Sequence, residues 1–201
     1  MSDRTVHPAM PAGDDLMGQE AIKAAVREAY RAVIGAPSAV ADRLYDAEQL
    51  ALLPRGAIAQ ALGVGNPVRA ARLRPGEVVV DLGCGGGIDT ILAAHAVAPT
   101  GTAIGLDMLP EMLEVAARHA AEAGVRNVRW LHGEIEAIPL PEASVDVALS
   151  NGVLNLSPRK SRAFAEIFRI LRPGGRMVVA DIVVDEDLPP EILTSAAAWA
   201  G

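Results

Sequence analysis

The sequence predicts an α/β fold, a doubly wound and mostly parallel sheet behind an N-terminal helical cap. Three observations carry that prediction. From Gly76 onward, short apolar runs alternate regularly with amphipathic segments, as repeated strand–helix units require. One run, Val78-Val79-Val80-Asp81-Leu82, ends in a glycine-rich turn, Gly83-Cys84-Gly85-Gly86-Gly87, that feeds a helix. The chain has 201 residues, 51% of them apolar, which suits one domain with a sizeable core. Only 3% are aromatic, so that core is built mainly from aliphatic side chains.

In chain order, residues 1–18 are rich in Pro, Gly and Asp and read as a flexible N-terminus. Residues 19–34 read as a helix with Ile22, Val26, Tyr30 and Val33 on one face, ended by Gly35-Ala36-Pro37-Ser38. A loop-rich stretch through Leu50-Ala51-Leu52-Leu53-Pro54 to Gly63-Val64-Gly65-Asn66-Pro67 follows, and residues 19–75 together form the cap. The core, 76–201, is expected to hold strands at 77–81, 102–107, 127–131, 144–150 and 176–183. A helix over 88–98 follows the glycine turn. Pro110 opens the next helix, where its missing N–H costs nothing, and Gly124 closes it. Met112, Leu113, Ala116, Ala117 and Ala120 form its inner face, and Phe164, Ile167, Phe168 and Leu171 that of the helix before the fifth strand. Crossovers of this kind are right-handed, and ligands bind beyond the carboxyl ends of the strands.

A strand–turn–helix unit offers a ligand bare backbone at a helix N-terminus. The dinucleotide fingerprint needs a third glycine at the place held by Ile88 or Thr90, and a P-loop needs a Gly-Lys-Ser/Thr ending that is absent. What remains is Asp-x-Gly-x-Gly-x-Gly, which resembles motif I of the class I S-adenosyl-L-methionine (SAM)-dependent methyltransferases. The resemblance implies SAM as cofactor, with Gly83, Gly85 and Gly87 running beside its methionine portion. Cys84 is there a small buried residue with its backbone on the ligand. Asp81 holds the turn or meets the ammonium through water. Asp107, closing Ile104-Gly105-Leu106-Asp107, is placed for the ribose hydroxyls, and Met108 for one adenine face. On Gly133-Glu134-Ile135-Glu136, Glu134 offers a carboxylate to the adenine amino group and Ile135 a backbone N–H; a solvated loop acid is the alternative for Glu134. Asn151 follows the fourth strand and either bonds the methionine portion or the acceptor, or caps the turn. Tyr30 and Tyr45 either line the pocket or pack in the core.

The chain also resembles the arsenite methyltransferases from about Tyr45 onward. The matching stretches are Leu52-Leu53-Pro54-Arg55-Gly56-Ala57, Gly65-Asn66-Pro67, Gly105-Leu106-Asp107-Met108 with Pro110-Glu111-Met112, Gly133-Glu134-Ile135-Glu136, Ser150-Asn151, Asn155-Leu156-Ser157-Pro158, Asp181-Ile182 and Pro190-Glu191-Ile192. That family holds As(III) by thiolates, which suit a soft centre. Here Gly152 follows Ser150-Asn151, Val64 stands where Gly-x-Gly-Asn-Pro commonly carries cysteine, and the segment around Ser38 has none. Cys84 alone cannot chelate. The resemblance therefore implies methyl transfer from SAM to a small-molecule acceptor. Two other readings stand beside it: arsenite methylation with external thiols, and a non-catalytic SAM-binding or partner-binding remnant.

Composition bounds the rest. A net charge of −7 argues against nucleic acid, and Arg69, Arg72 and Arg74 read as a solvated turn. The single cysteine excludes an internal disulfide and a cysteine-based zinc site, and no metal is expected. No membrane span or signal peptide is recognisable, so a cytoplasmic protein is expected. The apolar fifth strand would be an exposed edge, to be covered by residues beyond 201, by a second copy or by another partner.

Overall fold

The computed structural model describes residues 18–183. The expected flexible N-terminus up to residue 17 and the Pro190-Glu191-Ile192 helix lie outside them. Five strands, β1 (Val78–Leu82), β2 (Thr102–Asp107), β3 (Val128–His132), β4 (Val145–Asn151) and β5 (Leu171–Ala180), form one sheet in the order β3-β2-β1-β4-β5. Every neighbouring pair is parallel, with Val80 beside Ile104 on one side and Ala148 on the other. The doubly wound α/β expectation holds. The chain leaves β1 toward β2 and β3, then returns to lay β4 on the opposite flank of β1. That reversal opens a crevice at the carboxyl ends of β1 and β4.

Side-chain alternation on β1 divides the core in two. Val79 belongs to an apolar cluster with Ile91, Leu92 and Ala94 from α6 (Ile88–Val97); Val80 and Leu82 belong to another with Ile167 and Ile170 from α8 (Lys160–Ile170). Most of α6 is buried, because its outer side is covered by the segment before the sheet. That segment is α1 (Gln19–Ala32) followed by four short helices, α2 (Ala41–Leu44), α3 (Ala47–Ala51), α4 (Arg55–Ala59) and α5 (Pro67–Ala71). The stretch read as loop-rich thus carries helical turns. They were hard to see because none exceeds five residues, too short to display a period. Ala41, Tyr45, Leu53, Ala57, Ala61, Val68 and Ala71 from this stretch join the cluster around Val79 and α6.

Two helix faces differ from expectation. On α7 (Pro110–Glu122), Val115 and His119 are buried with Met112, Ala116 and Ala120, while Leu113 and Ala117 are half-buried. On α8 the inner face is Ala163, Glu166, Ile167 and Ile170; Phe164 is 44% exposed and Phe168 83%. A polar clamp explains the rotation. Glu166 accepts from the Ile138 amide at 3.0 Å and from Arg169, whose guanidinium also donates to the Leu140 and Ile138 carbonyls at 2.7 and 2.8 Å. An apolar count of the helix assigns Glu166 to solvent, whereas its bonds turn it inward and roll the phenylalanines out. Leu171 belongs to β5, not to the helix.

The fifth strand is also displaced. Leu171 pairs with Val145 and Arg176 with Val147, so Arg172-Pro173-Gly174-Gly175 form an irregularity within β5 rather than a turn before it. At its far end β5 stops at Ala180, because the Asp181 carboxylate turns to accept from the backbone and side-chain N–H groups of Asn155. No helix among the described residues is long and apolar enough to cross a membrane.

The two faces of α8 give a direct comparison. Ile167→Ala should lower unfolding free energy by about 2–5 kcal/mol, the range for a buried isoleucine, and Phe168→Ser by less than about 0.5 kcal/mol. Urea-denaturation midpoints of the whole chain measure both; equal losses would place Phe168 in the core after all.

Candidate functional site

The cleft begins at the turn after β1. Gly83, Gly85 and Gly87 all have positive φ, and the Cys84 amide continues the sheet by donating to the Leu106 carbonyl at 2.9 Å. Gly87 starts α6 and lies so near α7 that a Cβ there would stand 2.9 Å from the Ala116 methyl. A Cβ at Gly85, by contrast, would meet nothing within 4 Å, so the backbone is bare toward the cleft. The far side of the turn is held by His119, whose Nδ1 lies 2.8 Å from the Gly86 carbonyl. A carbonyl only accepts, so Nδ1 carries the proton.

Asp107, the last residue of β2, ties the neighbouring strand ends together. One oxygen accepts from the Gly85 amide and the other from the Leu109 amide, both at 2.9 Å. Its own carbonyl accepts from Gly133, after β3, at 3.0 Å. A carboxylate has about four lone-pair sites, so Asp107 keeps capacity for a further donor. Burial raises its pKa. Beneath it, Asp81 is 3% exposed and accepts from the Thr90 hydroxyl at 2.6 Å. Burial, and then the charge of Asp89, push Asp81 upward; burial also raises Asp89. The Cys84 thiol is pushed well up by burial, then by Asp81 and Asp107, so it stays protonated and unreactive.

Every residue picked out from the sequence for the cofactor lines this cleft except Gly87, which is turned toward α7: Asp81, Gly83, Cys84, Gly85, Asp107, Met108, Glu134, Ile135 and Asn151. Glu134 has partners that the sequence did not suggest. It is ion-paired with Lys23 and, at 2.6 Å, with Arg27, both from α1. Arg31 reaches Glu111 at 3.0 Å, so α1 lies across the mouth and adds Lys23, Val26 and Tyr30 to its lining. Glu136 is buried and accepts from Ser157. Of the two tyrosines, Tyr30 lines the cleft, where burial followed by Asp181 and Asp107 raises its pKa; Tyr45 is buried and donates to Asp89 at 2.9 Å.

The opposite wall is Gly63-Val64-Gly65 facing the end of β4. The Asn151 carboxamide bonds this loop, Asp89 and Tyr45. Val64 lies beside Gly152, where a Cβ would be 3.6 Å from a Val64 methyl. Sequence reading missed Asp89, Lys23, His119 and the Gly63 loop as parts of the site. Asp89 had a signal, an acid in the first turn of the helix after the glycines. The Lys23–Glu134 pairing spans 111 residues and had none. No group of His, Cys, Asp and Glu among the described residues could hold a metal ion.

Comparisons with known proteins agree with this geometry. The profile of a methyltransferase-domain family matches residues 73–200. The arsenite methyltransferase of Halobacterium salinarum is 43% identical over 162 residues, 78% of this chain and 41% of that protein. That of Aquipseudomonas alcaligenes is 39% identical over 130 residues, 61% of this chain and 38% of its own length. The crystal structure of an arsenic(III) S-adenosylmethionine methyltransferase from Chlamydomonas reinhardtii superposes with a TM-score of 0.61 at 38% identity, covering 82% of this chain and 52% of that one. The chain spans about two fifths of the length of these curated relatives.

The buried acids have a measurable signature. A carboxyl whose pKa is raised by folding keeps its proton to higher pH in the native than in the unfolded state. Its contribution to stability is therefore fullest below the ordinary carboxyl value of about 4 and is lost as pH rises through the raised value. Asp81→Asn, which still accepts from Thr90, should show a shallower loss of stability than the parent between about pH 5 and pH 8. Urea titrations across that window test it, and parallel curves would show that Asp81 does not titrate there.

Proposed function

Because the chain belongs to the methyltransferase-domain family, we propose that it transfers a methyl group from SAM to a small-molecule acceptor. The observation that carries this reading is the bare backbone at Gly85, fixed by a carboxylate with lone pairs to spare. The residues present fit the cofactor. Gly83, Cys84 and Gly85 offer backbone along the methionine portion, and Asp81 a carboxylate for the ammonium through water. Asp107 would take the ribose hydroxyls, Met108 and Ile135 the adenine, and Glu134 its amino group once exchanged from Lys23 and Arg27. When bound, SAM supplies a methyl group already activated on a sulfonium.

The protein's own part is then to align the acceptor and exclude water. The Gly63-Val64-Gly65 loop with Gly152 and Val153 limits one side, and α1 closes the other. No side chain is assigned as base, since an acceptor that is already nucleophilic needs none.

Two finer parts belong to the same reading. Cytoplasmic action is supported by a lone cysteine kept as a buried thiol. A second copy or partner along β5 is supported by Met177 and Val179, exposed on that edge.

A second reading, arsenite methylation, is favoured by the relatives of that name. Val64 and Gly152 provide no thiolate, so glutathione or another small thiol would have to ligate the metalloid.

Calorimetric titration with SAM and S-adenosylhomocysteine tests the shared premise. Both should bind, and Gly85→Asn, which tolerates the positive φ but projects a side chain into the cleft, should weaken each at least about tenfold with little change in thermal midpoint. Absence of heat with either nucleoside would refute the reading. A tritiated-methyl screen of acceptors, with arsenite plus glutathione as one arm, then separates the two activities. Binding without any product would identify a remnant.

A further inference from the structure

Asn151 closes β4, and its side chain has no bonding capacity left. A carboxamide oxygen offers two lone pairs and its nitrogen two protons. The oxygen accepts from the Val64 amide at 2.8 Å and the Gly65 amide at 3.0 Å. The nitrogen donates to the Gly65 carbonyl and to Asp89, both at 2.9 Å, with the Tyr45 hydroxyl at 3.3 Å beside it. Steric contact reinforces these bonds. A Cβ at Gly63 would stand 2.3 Å from the Asn151 side-chain nitrogen, and one at Gly65 2.6 Å from the Ala180 methyl. Asp89 is fixed independently by Tyr45.

We propose that Asn151 is a positioning residue: it clamps the Gly63-Val64-Gly65 loop to the end of β4 and, through Asp89, to the helix that starts at the glycine turn. The wall facing the acceptor is thereby held in register with the cofactor turn. This rests on the methyl-transfer reading and deepens it, because the carboxamide spends its bonds within the chain and so shapes the wall of the cleft. The four bonds also select asparagine. Alanine removes all of them; aspartate loses both donors and sets a carboxylate oxygen against the Asp89 carboxylate and the Gly65 carbonyl, where the nitrogen stands 2.9 Å from each.

The test is residue-resolved amide exchange on the whole chain, with calorimetry against S-adenosylhomocysteine. In Asn151→Ala, exchange at Val64 and Gly65 should rise at least about tenfold while β1 amides keep their protection. Asn151→Asp, which turns an oxygen toward Asp89 and the Gly65 carbonyl, should fail to restore protection at either amide. Affinity for S-adenosylhomocysteine should stay within about threefold in Asn151→Ala, whereas KM for an acceptor found by the tritium screen should rise about tenfold in the same variant. Unchanged exchange at Val64 and Gly65, or a tenfold loss of nucleoside affinity, would overturn the clamp. Failure of the parent chain to bind SAM or S-adenosylhomocysteine would overturn the methyl-transfer reading instead, and is read in a separate arm.

Discussion

The carboxylate of Asp107 is the constraint on which the mouth of this sheet depends. Parallel strands leave their carboxyl ends as separate loops with unpaired amides, and nothing in the ladder itself fixes those loops to each other. Asp107 accepts from the turn after β1 and from the turn after its own strand, and its carbonyl accepts from the loop after β3. Three crossovers are thereby locked into one surface. Burial raises the cost of keeping that group charged, and bonds to backbone amides offset the cost.

Much of this was legible in the sequence because the features that carry it are local. An apolar run, an acid and positive-φ glycines occupy ten adjoining residues, and the acid at Asp107 closes an equally plain strand. Where legibility failed, the deciding interaction was distant. Phe164 and Phe168 look like an inner face until Glu166 is seen bonded to Ile138, 28 residues away. The β5 boundary moved for a related reason: Arg172-Pro173-Gly174-Gly175 reads as a turn, yet the sheet accommodates it through a register shift against β4. Short helices such as α3, set by the capping bonds of Asp46 and Gln49, have too few residues to announce a period.

The candidate site divides the same way. Residues at strand ends were found; of those brought by the segment before β1, Tyr30 was offered as a pocket residue, while Lys23 and the Gly63 loop were not. Asn151 sits on the boundary. Its type and place suggested a ligand or a turn cap, whereas most of its bonds go to a loop 86 residues earlier and the rest to Asp89 and Tyr45. The resulting wall is built from glycines pressed on a carboxamide, an arrangement that defines shape rather than charge. Val64 beside Gly152 continues it, so that side of the cleft presents aliphatic surface where a metalloid would require sulfur.

The manner in which α1 is fastened has its own consequence. Its contacts with Glu134 are partly shielded, with the Lys23 side chain 12% exposed, whereas Arg31 and Glu111 are 54% and 47% exposed. Dissolved ions weaken the outer pair most and the inner pairs least. Rising ionic strength therefore loosens the Arg31 end of α1 before the Lys23 end, while buried Ile22 and Val26 keep the helix seated.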